Sequence, residues 1–175
     1  MRLIEPPLFD AETIAARVTA LAAAIDRDRA GGSLLVIAVL KGAALFAADL
    51  VRRLSGDVCL DFIRARSYIG ETSSGVVEIM HAPEVLIRDR HVLLVEDILD
   101  TGRTASQIIA WLKERGPASL RVCALIDKPA RRLVEVRADY VGFSIEDHFV
   151  VGYGLDHNEQ YRHLPSVYTL DTNEV

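Results

Sequence analysis

Residues 91–104 read HVLLVEDILDTGRT, and this stretch decides the fold. It begins with a short apolar run, His91 to Val95, which is typical of a strand buried on both faces of a parallel sheet. A helical pattern follows from Ala105 to Arg115 and ends at Gly116-Pro117. A buried strand that leads into a helix predicts an α/β fold, in which ligands bind beyond the carboxyl ends of the strands.

The rest of the chain alternates between helical and strand-like patterns. Apolar residues recur at helical spacing from Asp10 to Asp26, with Asp10 as a candidate N-cap and Gly31-Gly32 after the end, and again from Ala43 to Leu54. Strand-like runs lie at 33–40, 58–65, 76–80, 120–126, 140–143, 149–153 and 167–170. Because no repeat or low-complexity linker divides the sequence, we predict one domain over residues 1–175. Its sheet should be open and mostly parallel, with right-handed crossovers.

Composition argues against several classes of protein. Half of the 175 residues are apolar but only 6% are aromatic, so the core must consist mainly of Ala, Val, Leu and Ile, and a disordered chain is excluded. The longest unbroken apolar stretch, Leu34 to Leu40, is much shorter than the roughly 20 residues of a membrane helix. A formal net charge of -5 disfavours an extended nucleic-acid interface, because phosphate binding depends on clustered cations.

The N-terminus and the cysteines bear on cellular location. The chain begins MRLIEPP, with Glu5, Pro6 and Pro7 where a signal peptide has its apolar segment, which predicts a cytoplasmic protein. Cys59 and Cys123 lie in apolar strand-like runs without C-x-x-C spacing, so we expect two buried, reduced thiols.

The turn after the 91–95 strand has the composition of a ligand site. Residues 100–104 place an acid, hydroxyls and a glycine at the start of a helix, where unpaired N–H groups and the helix dipole attract phosphate. Glu96 and Asp97 add carboxylates that suit sugar hydroxyls or a hydrated Mg²⁺. Together these features predict a site for a sugar phosphate. The alternative is that the acids only favour a helix N-terminus and that Thr101 caps it.

Two other segments are candidates for ligand contact. Lys41 directly follows the apolar run that ends at Leu40, where ligands collect in parallel sheets, although its side chain could simply extend into water. Residues 66–75 read RSYIGETSSG, a small and polar stretch that predicts a mobile loop. The sequence contains no G-x-x-x-x-G-K-[ST], no G-x-G-x-x-G after a strand and no H-E-x-x-H, so we expect neither a P-loop kinase, a dinucleotide dehydrogenase nor a zinc enzyme.

These segments together resemble a known family. Residues 92–104 resemble the 5-phosphoribosyl-1-pyrophosphate (PRPP) signature of the type I phosphoribosyltransferases, a long and specific motif. Over nearly the whole chain, from Ser33 to Leu164, further segments resemble the hypoxanthine phosphoribosyltransferases: the pyrophosphate loop at Leu40-Lys41-Gly42, the lid at Ser67-Tyr68, the purine-binding lysine region at Asp127-Lys128-Pro129, and the base-stacking strand at 149–156. Relatives often have Ser-Tyr-Gly at the lid, whereas this chain departs with Ser67-Tyr68-Ile69-Gly70.

The resemblance implies a twisted, mostly parallel sheet with helices on both faces and a small hood formed by the chain-terminal segments. It implies that Glu96 and Asp97 hold the ribose hydroxyls, directly or through Mg²⁺ and water. Asp100 would act as general acid or base near purine N7. The 5′-phosphate would be bound by Thr101, Gly102, Arg103 (through its backbone N–H) and Thr104.

The other ligand groups are assigned in the same way. Lys41 and Gly42 would contact pyrophosphate through a backbone turned by an unusual cis peptide at Leu40-Lys41. Arg162 would reach the same group, whose charge Lys41 and Arg162 would neutralise, and Ser67 and Tyr68 would close over it. The purine would be bound by three residues: Lys128, Phe149 by stacking, and Val150 through its backbone. Mg²⁺ would be held by Glu96, Asp97 and Asp156. Ordinary core packing is the alternative for Phe149, and an exposed turn is the alternative for Asp156.

The implied activity is Mg²⁺-dependent transfer of the phosphoribosyl group from PRPP to N9 of a 6-oxopurine, hypoxanthine or guanine, by a homo-oligomer (dimer or tetramer). A regulatory protein that senses PRPP or a nucleotide with the same fold is the alternative. That function needs a nucleic-acid surface, whereas Arg131-Arg132 is only a short basic run in an acidic chain. A transferase for another base is a closer alternative, and the sequence does not rank hypoxanthine, guanine and xanthine.

Overall fold

The computed structural model describes residues 2–29, 32–67 and 77–171. In chain order its elements are β1 (Arg2–Phe9), α1 (Ala11–Arg29), β2 (Leu34–Leu40), α2 (Ala44–Val51), β3 (Val58–Ser67), β4 (Val77–His81), β5 (His91–Leu99), α3 (Arg103–Lys113), β6 (Ser119–Asp127), β7 (Tyr140–Ser144), β8 (Val150–Val151) and β9 (Val167–Asp171). The helices and strands that the sequence predicts are present, with shifted ends. Asp10 caps α1 as expected, because its Oδ1 accepts a hydrogen bond from the Thr13 N–H at 2.7 Å.

The main sheet has six strands in the order β4-β3-β2-β5-β6-β7. All neighbouring pairs from β3 to β7 are parallel, and β4 is antiparallel to β3. This confirms the prediction of a mostly parallel sheet.

Helices cover both faces of the sheet, as expected. Along β2 the side chains alternate between two apolar cores. Val36 and Ala38 pack in the core that includes α1 and α2. Leu35 and Ile37 pack in the core that includes α3. Within the described residues no helix is long and apolar enough to cross a bilayer.

A second, three-stranded sheet forms the expected hood, with the order β1-β9-β8. Its strand β1 precedes the first element that the sequence pattern indicates. The strand reads RLIEPPLF, its residues are mostly exposed, and its register against β9 is interrupted between Ile4 and Phe9. Pro6 and Pro7 lack the N–H group that a ladder needs, and so they hide a strand that is defined by its pairing with β9.

Several boundaries differ from the sequence prediction. Glu96 and Asp97 belong to β5 and not to the turn after it, because β5 remains paired with β6 as far as Leu99. The strand predicted at 149–153 is limited to β8. Cys123 is buried, but Cys59 is only partly buried, which corrects the expectation of two buried thiols. The reason is that β4 pairs with β3 only from Arg64 onward, so the first half of β3 is an edge of the sheet.

The loop after β2 is pressed against the end of β5. The Leu40–Lys41 peptide bond is cis, as the family resemblance implies. Gly42 follows it, and a Cβ at this position would overlap the carboxylate of Asp97. On its other side the Gly42 carbonyl lies against Gly154, where φ is 101° and a Cβ would overlap that oxygen. Only glycine therefore allows these three segments to approach so closely.

We expect Gly42→Ala to destabilise the fold by about 1–3 kcal/mol, the usual cost of overpacking, because the new methyl group must displace the Asp97 carboxylate from its hydrogen bond with the Ile98 N–H. Urea unfolding of the wild type and the variant measures this difference. Gly32→Ala is the matched control, since a Cβ there would have its nearest neighbour at 3.6 Å. Equal stability of the two variants would contradict the close contact at Gly42.

Candidate functional site

The site lies where the direction of the sheet connections reverses. From β2 the chain passes through α2 to β3 on one side, whereas β5, β6 and β7 lie in order on the other side. The loops after β2 and β5 therefore leave in opposite directions and open a crevice between them, as in other parallel α/β sheets. A cavity of about 410 Å³ lies beside this crevice and is lined by Asp97, Ile98, Asp100, Lys128, Arg131, Asp147, Phe149, Val150, Leu155 and Asp156.

Of the two acids near the end of β5, Glu96 is buried and Asp97 is partly buried, and the loss of hydration changes their protonation. Burial, with a contribution from the neighbouring Asp97 carboxylate, raises the pKa of Glu96 well above its usual value. Burial also raises the pKa of Asp97 from 3.8 to about 6, although the hydrogen bond from the Ile98 N–H and the charge of Arg162 lower it. Because these carboxyl groups are poorly hydrated, a ligand that brings hydroxyl donors or positive charge would stabilise their ionised forms.

The turn at 100–104 leads into the N-terminus of α3. The N-cap of α3 is Gly102, which has no side chain to accept hydrogen bonds from the first-turn N–H groups. Thr101 is therefore not the cap that the alternative interpretation requires. The Thr101 Oγ1 is only a distant acceptor, 3.5 Å from the Arg103 N–H. The helix dipole and the N–H groups at this end suit a phosphate. The carbonyl of Thr101 accepts hydrogen bonds from the backbone N–H groups of Leu133 and Val134 at 2.9 and 3.1 Å. The turn is thus held from behind by the 132–136 segment.

Arg132 is a structural part of this turn that the sequence analysis did not assign. Its guanidinium donates hydrogen bonds to the carbonyl oxygens of Leu99 and Asp100 and forms an ion pair with Asp127. It therefore ties the end of β5 to the end of β6. In the sequence the Arg131-Arg132 pair, close to Lys128, is visible only as a short basic run, and this pattern does not indicate a structural role.

Lys128 and Phe149 face the same cavity from different segments. Lys128 is 6% exposed, and its Nζ donates a hydrogen bond to the His148 carbonyl at 2.6 Å. Burial lowers the pKa of Lys128, while Asp100 and Asp147 favour its charged form. Phe149 is 44% exposed and meets His157 edge-on at 5.4 Å, so it is not an ordinary core aromatic. Val150 beside it is buried.

Asp100 has a cationic partner that the sequence analysis missed. The Arg131 Nε lies 3.1 Å from Asp100 Oδ1, and one of its terminal nitrogens lies 3.2 Å from Asp147 Oδ2. Arg131 thus bridges two carboxylates at the rim of the cavity. Neither pairing has a sequence signature, because the three residues come from separate loops.

Lys41 and Arg162 meet at the other end of the crevice. Lys41 Nζ forms an ion pair with Glu159 Oε2 at 2.8 Å. Arg162 forms an ion pair with Asp156 Oδ1 at 2.8 Å and donates a hydrogen bond to the Gly154 carbonyl at 2.7 Å. Lys41 is therefore more than a lysine that extends into water, and Asp156 is part of a charged cluster and not of an isolated exposed turn. Glu159 was not among the residues singled out from the sequence.

The predicted lid lies largely outside the described residues. The backbone of Ser67 ends β3 and pairs with Val77. Tyr68 and the rest of 68–76 lie outside the described ranges, as does the side chain of Ser67.

The residues assigned to Mg²⁺ are brought together only in part. Asp97 and Asp156 lie near each other, because the charge of Asp156 contributes to the raised pKa of Asp97. Among the described residues, however, no group of three or more acidic, His or Cys side chains is arranged to hold a metal ion. Two carboxylates fit Mg²⁺ well when the remaining ligands are substrate phosphate oxygens and waters, which is how this ion is commonly bound.

Comparison with known proteins agrees with this arrangement. The profile of the family described as phosphoribosyl transferase domain matches residues 7–158. The hypoxanthine-guanine phosphoribosyltransferase of Streptococcus pneumoniae is 42% identical over 165 residues, which cover 94% of this chain and 92% of the relative. The enzyme of the same name from Staphylococcus aureus is 43% identical over 86% of this chain and 84% of its own length.

A crystal structure gives the same result for the fold. The hypoxanthine-guanine phosphoribosyltransferase from Bacillus anthracis has a TM-score of 0.92 and 43% identity, and the match covers 96% of this chain and 99% of that one. With these matches over nearly its full length and a site at the expected crevice, this chain belongs to the phosphoribosyltransferase family, among the hypoxanthine-guanine phosphoribosyltransferases.

Proposed function

We propose that this chain is a purine-salvage enzyme that transfers the 5-phosphoribosyl group of PRPP to N9 of hypoxanthine or guanine and releases pyrophosphate. The observation that carries this proposal is the crevice itself. Its cavity is lined by Asp97 of β5, by Asp100 of the turn before α3 and by the buried Lys128. The relatives named as hypoxanthine-guanine phosphoribosyltransferases support it.

In this reaction the bond between C1′ and the pyrophosphate oxygen breaks and a bond between C1′ and purine N9 forms. Positive charge develops on the ribose and negative charge on the leaving group, so catalysis requires stabilisation of both. Glu96 and Asp97 face the ribose hydroxyls in this proposal. The turn at 101–104 binds the 5′-phosphate, to which Arg103 contributes its backbone N–H.

The leaving group is bound at the opposite end of the crevice. Lys41, Gly42 and Arg162 contact pyrophosphate, and Ser67 and Tyr68 close over it to exclude water. Glu96, Asp97 and Asp156 would hold Mg²⁺, which when bound would neutralise charge on the pyrophosphate. The dependence on Mg²⁺ is typical of the family and is part of the proposal here.

The purine occupies the cavity between Lys128 and Phe149. Phe149 stacks on the base, and the backbone of Val150 meets the base edge. Lys128 directs one N–H to the His148 carbonyl, which leaves two for the purine O6. Asp100, at the rim of the same cavity, accepts or donates the proton that moves at N7.

The comparisons give no support to the regulatory alternative. The relatives from Streptococcus pneumoniae and Staphylococcus aureus are named as enzymes, and the net charge of -5 does not favour a nucleic-acid partner. The single domain over residues 1–175, the cytoplasmic location and the assembly into a dimer or tetramer stay predictions.

A steady-state assay with PRPP, Mg²⁺ and a panel of hypoxanthine, guanine, xanthine, adenine and uracil tests the proposed function. We expect turnover of the 6-oxopurines and rejection of adenine by about 10- to 100-fold or more in kcat/KM. The physical reason is that the Lys128 ammonium has only donors and opposes the 6-amino group of adenine.

Lys128→Ala should lower kcat/KM for hypoxanthine far more than it weakens PRPP binding. It should also reduce the difference in kcat/KM between hypoxanthine and adenine. Excess EDTA serves as the metal control and should abolish turnover. Equal use of adenine and hypoxanthine by the wild type would overturn the role of Lys128, and turnover of no purine at all would overturn the proposed function.

Asp100→Asn should lower kcat by about 100-fold or more, the usual scale of general acid–base catalysis, because an amide can neither accept nor release the purine proton. The KM for PRPP should change little. Asp147→Asn is the matched control, because it also removes a carboxylate that pairs with Arg131. If the two variants lose activity equally, the effect reflects the loss of an Arg131 partner and Asp100 has no proton-transfer role.

A further inference from the structure

We infer that Glu159 is a positioning residue that holds the pyrophosphate-binding cations in the free enzyme and competes with pyrophosphate for them. This inference rests on the proposed function, in which Lys41 and Arg162 bind the leaving group. It adds a residue that lowers the affinity for that group and thereby favours its release.

The geometry joins both cations to one carboxylate. Glu159 Oε2 lies 2.8 Å from Lys41 Nζ and 3.6 Å from a terminal nitrogen of Arg162. Lys41 and Glu159 are far apart in the sequence, so this contact spans the crevice from the loop after β2 to the loop before β9. A carboxylate oxygen is a chemical mimic of a phosphate oxygen. Glu159 therefore occupies the kind of position that an oxygen of pyrophosphate would take between the same two cations.

The backbone holds Glu159 in a specific and uncommon conformation. Its φ is 64°, and the φ values of Asn158 and Tyr161 are also positive, at 51° and 73°. Residues other than glycine rarely adopt this region. The Glu159 N–H donates a hydrogen bond to Asp156 Oδ2 at 2.9 Å, which ties the turn to the acid assigned to Mg²⁺. The carboxylate thus reaches Lys41 from a fixed turn.

Arg162 is only partly used in this state. One terminal nitrogen pairs with Asp156, the other donates to the Gly154 carbonyl, and the Nε is buried without a hydrogen-bond partner in the described part of the chain. A buried donor that lacks a partner is unfavourable. The Arg162 guanidinium therefore keeps hydrogen-bonding capacity that its contacts in the free enzyme do not use.

The ion pair between Glu159 and Lys41 is weak enough for pyrophosphate to displace the Glu159 carboxylate. Lys41 and Glu159 are 50% and 64% exposed, and exposed ion pairs are weak and screened by salt. Bound pyrophosphate carries several negative charges and can displace a single carboxylate. From the usual strength of exposed pairs, we expect Glu159 to reduce the affinity for pyrophosphate by about two- to fivefold at low salt.

Calorimetric titration of the full-length enzyme with inorganic pyrophosphate and Mg²⁺ tests the inference. Glu159→Gln keeps the size of the side chain and one acceptor oxygen but removes its charge. It should lower the Kd for pyrophosphate by about two- to fivefold at low salt, and the difference should shrink at high salt. Glu114→Gln, at an exposed position at the end of α3, is the control and should leave the Kd unchanged.

A second variant, Lys41→Gln, distinguishes a failure of the proposed function from a failure of the role inferred for Glu159. If it leaves the Kd for pyrophosphate unchanged, the Lys41 side chain does not bind the leaving group and that part of the proposed function fails. If Lys41→Gln weakens binding but Glu159→Gln fails to tighten it, the role of Glu159 is overturned while the proposed function stands. In the Lys41→Gln background the effect of Glu159→Gln should become smaller, because one of its two partners is gone.

Discussion

The parallel pairing of β2 with β5 is the constraint on which the rest of the site depends. The two strands are in register from Leu34 opposite His91 to Ala38 opposite Val95, so both end at the same edge of the sheet. This places the loop after β2 beside the acids of β5, and Gly42 allows the loop to reach the Asp97 carboxylate. Because the strands are buried on both faces, the register is fixed by both cores at once.

The charges of the site are arranged around this edge in compensating pairs. Loss of hydration raises the pKa values of Glu96 and Asp97 in β5, so these acids retain protons more readily than usual. The cations come from loops that follow other strands: Arg131 meets Asp100, and Arg162 meets Asp156. Each ion pair holds a polar side chain in place before a substrate arrives. Preorganised charges of this kind cost little reorganisation when charge develops on a ligand.

Much of this arrangement could be predicted from the sequence. Long apolar runs identified the strands of the main sheet, and the 92–104 motif with the family resemblance identified both ends of the crevice. The hood strand β1 could not be recognised from its own pattern, since its prolines and exposed residues conceal a strand that exists through its pairing with β9. The extent of β5 was missed because acids such as Glu96 usually indicate a turn, whereas here pairing with β6 overrides that preference.

Glu159, Arg131 and Arg132 were missed for a different reason. Their contacts join loops that are distant in the sequence, and their residue types are common on any protein surface. Local periodicity carries no information about such pairs. They become visible only when the strand order brings the loops after β2, β5 and β6 to one edge of the main sheet and the loop after β8 contacts them.

The hood has a consequence for the order in which the chain can fold. Its strand β1 is synthesised first, but its partner β9 is synthesised after every strand of the main sheet. During translation β1 therefore remains unpaired until β9 has been synthesised. The pairing of β1 with β9 then closes a loop that spans nearly the whole described chain. Val150, which belongs to the same small sheet, lines the cavity at the crevice. The pairing of Val150 with Thr169 in β9, which supports this part of the cavity wall, can therefore form only after residues 167–171 have been synthesised.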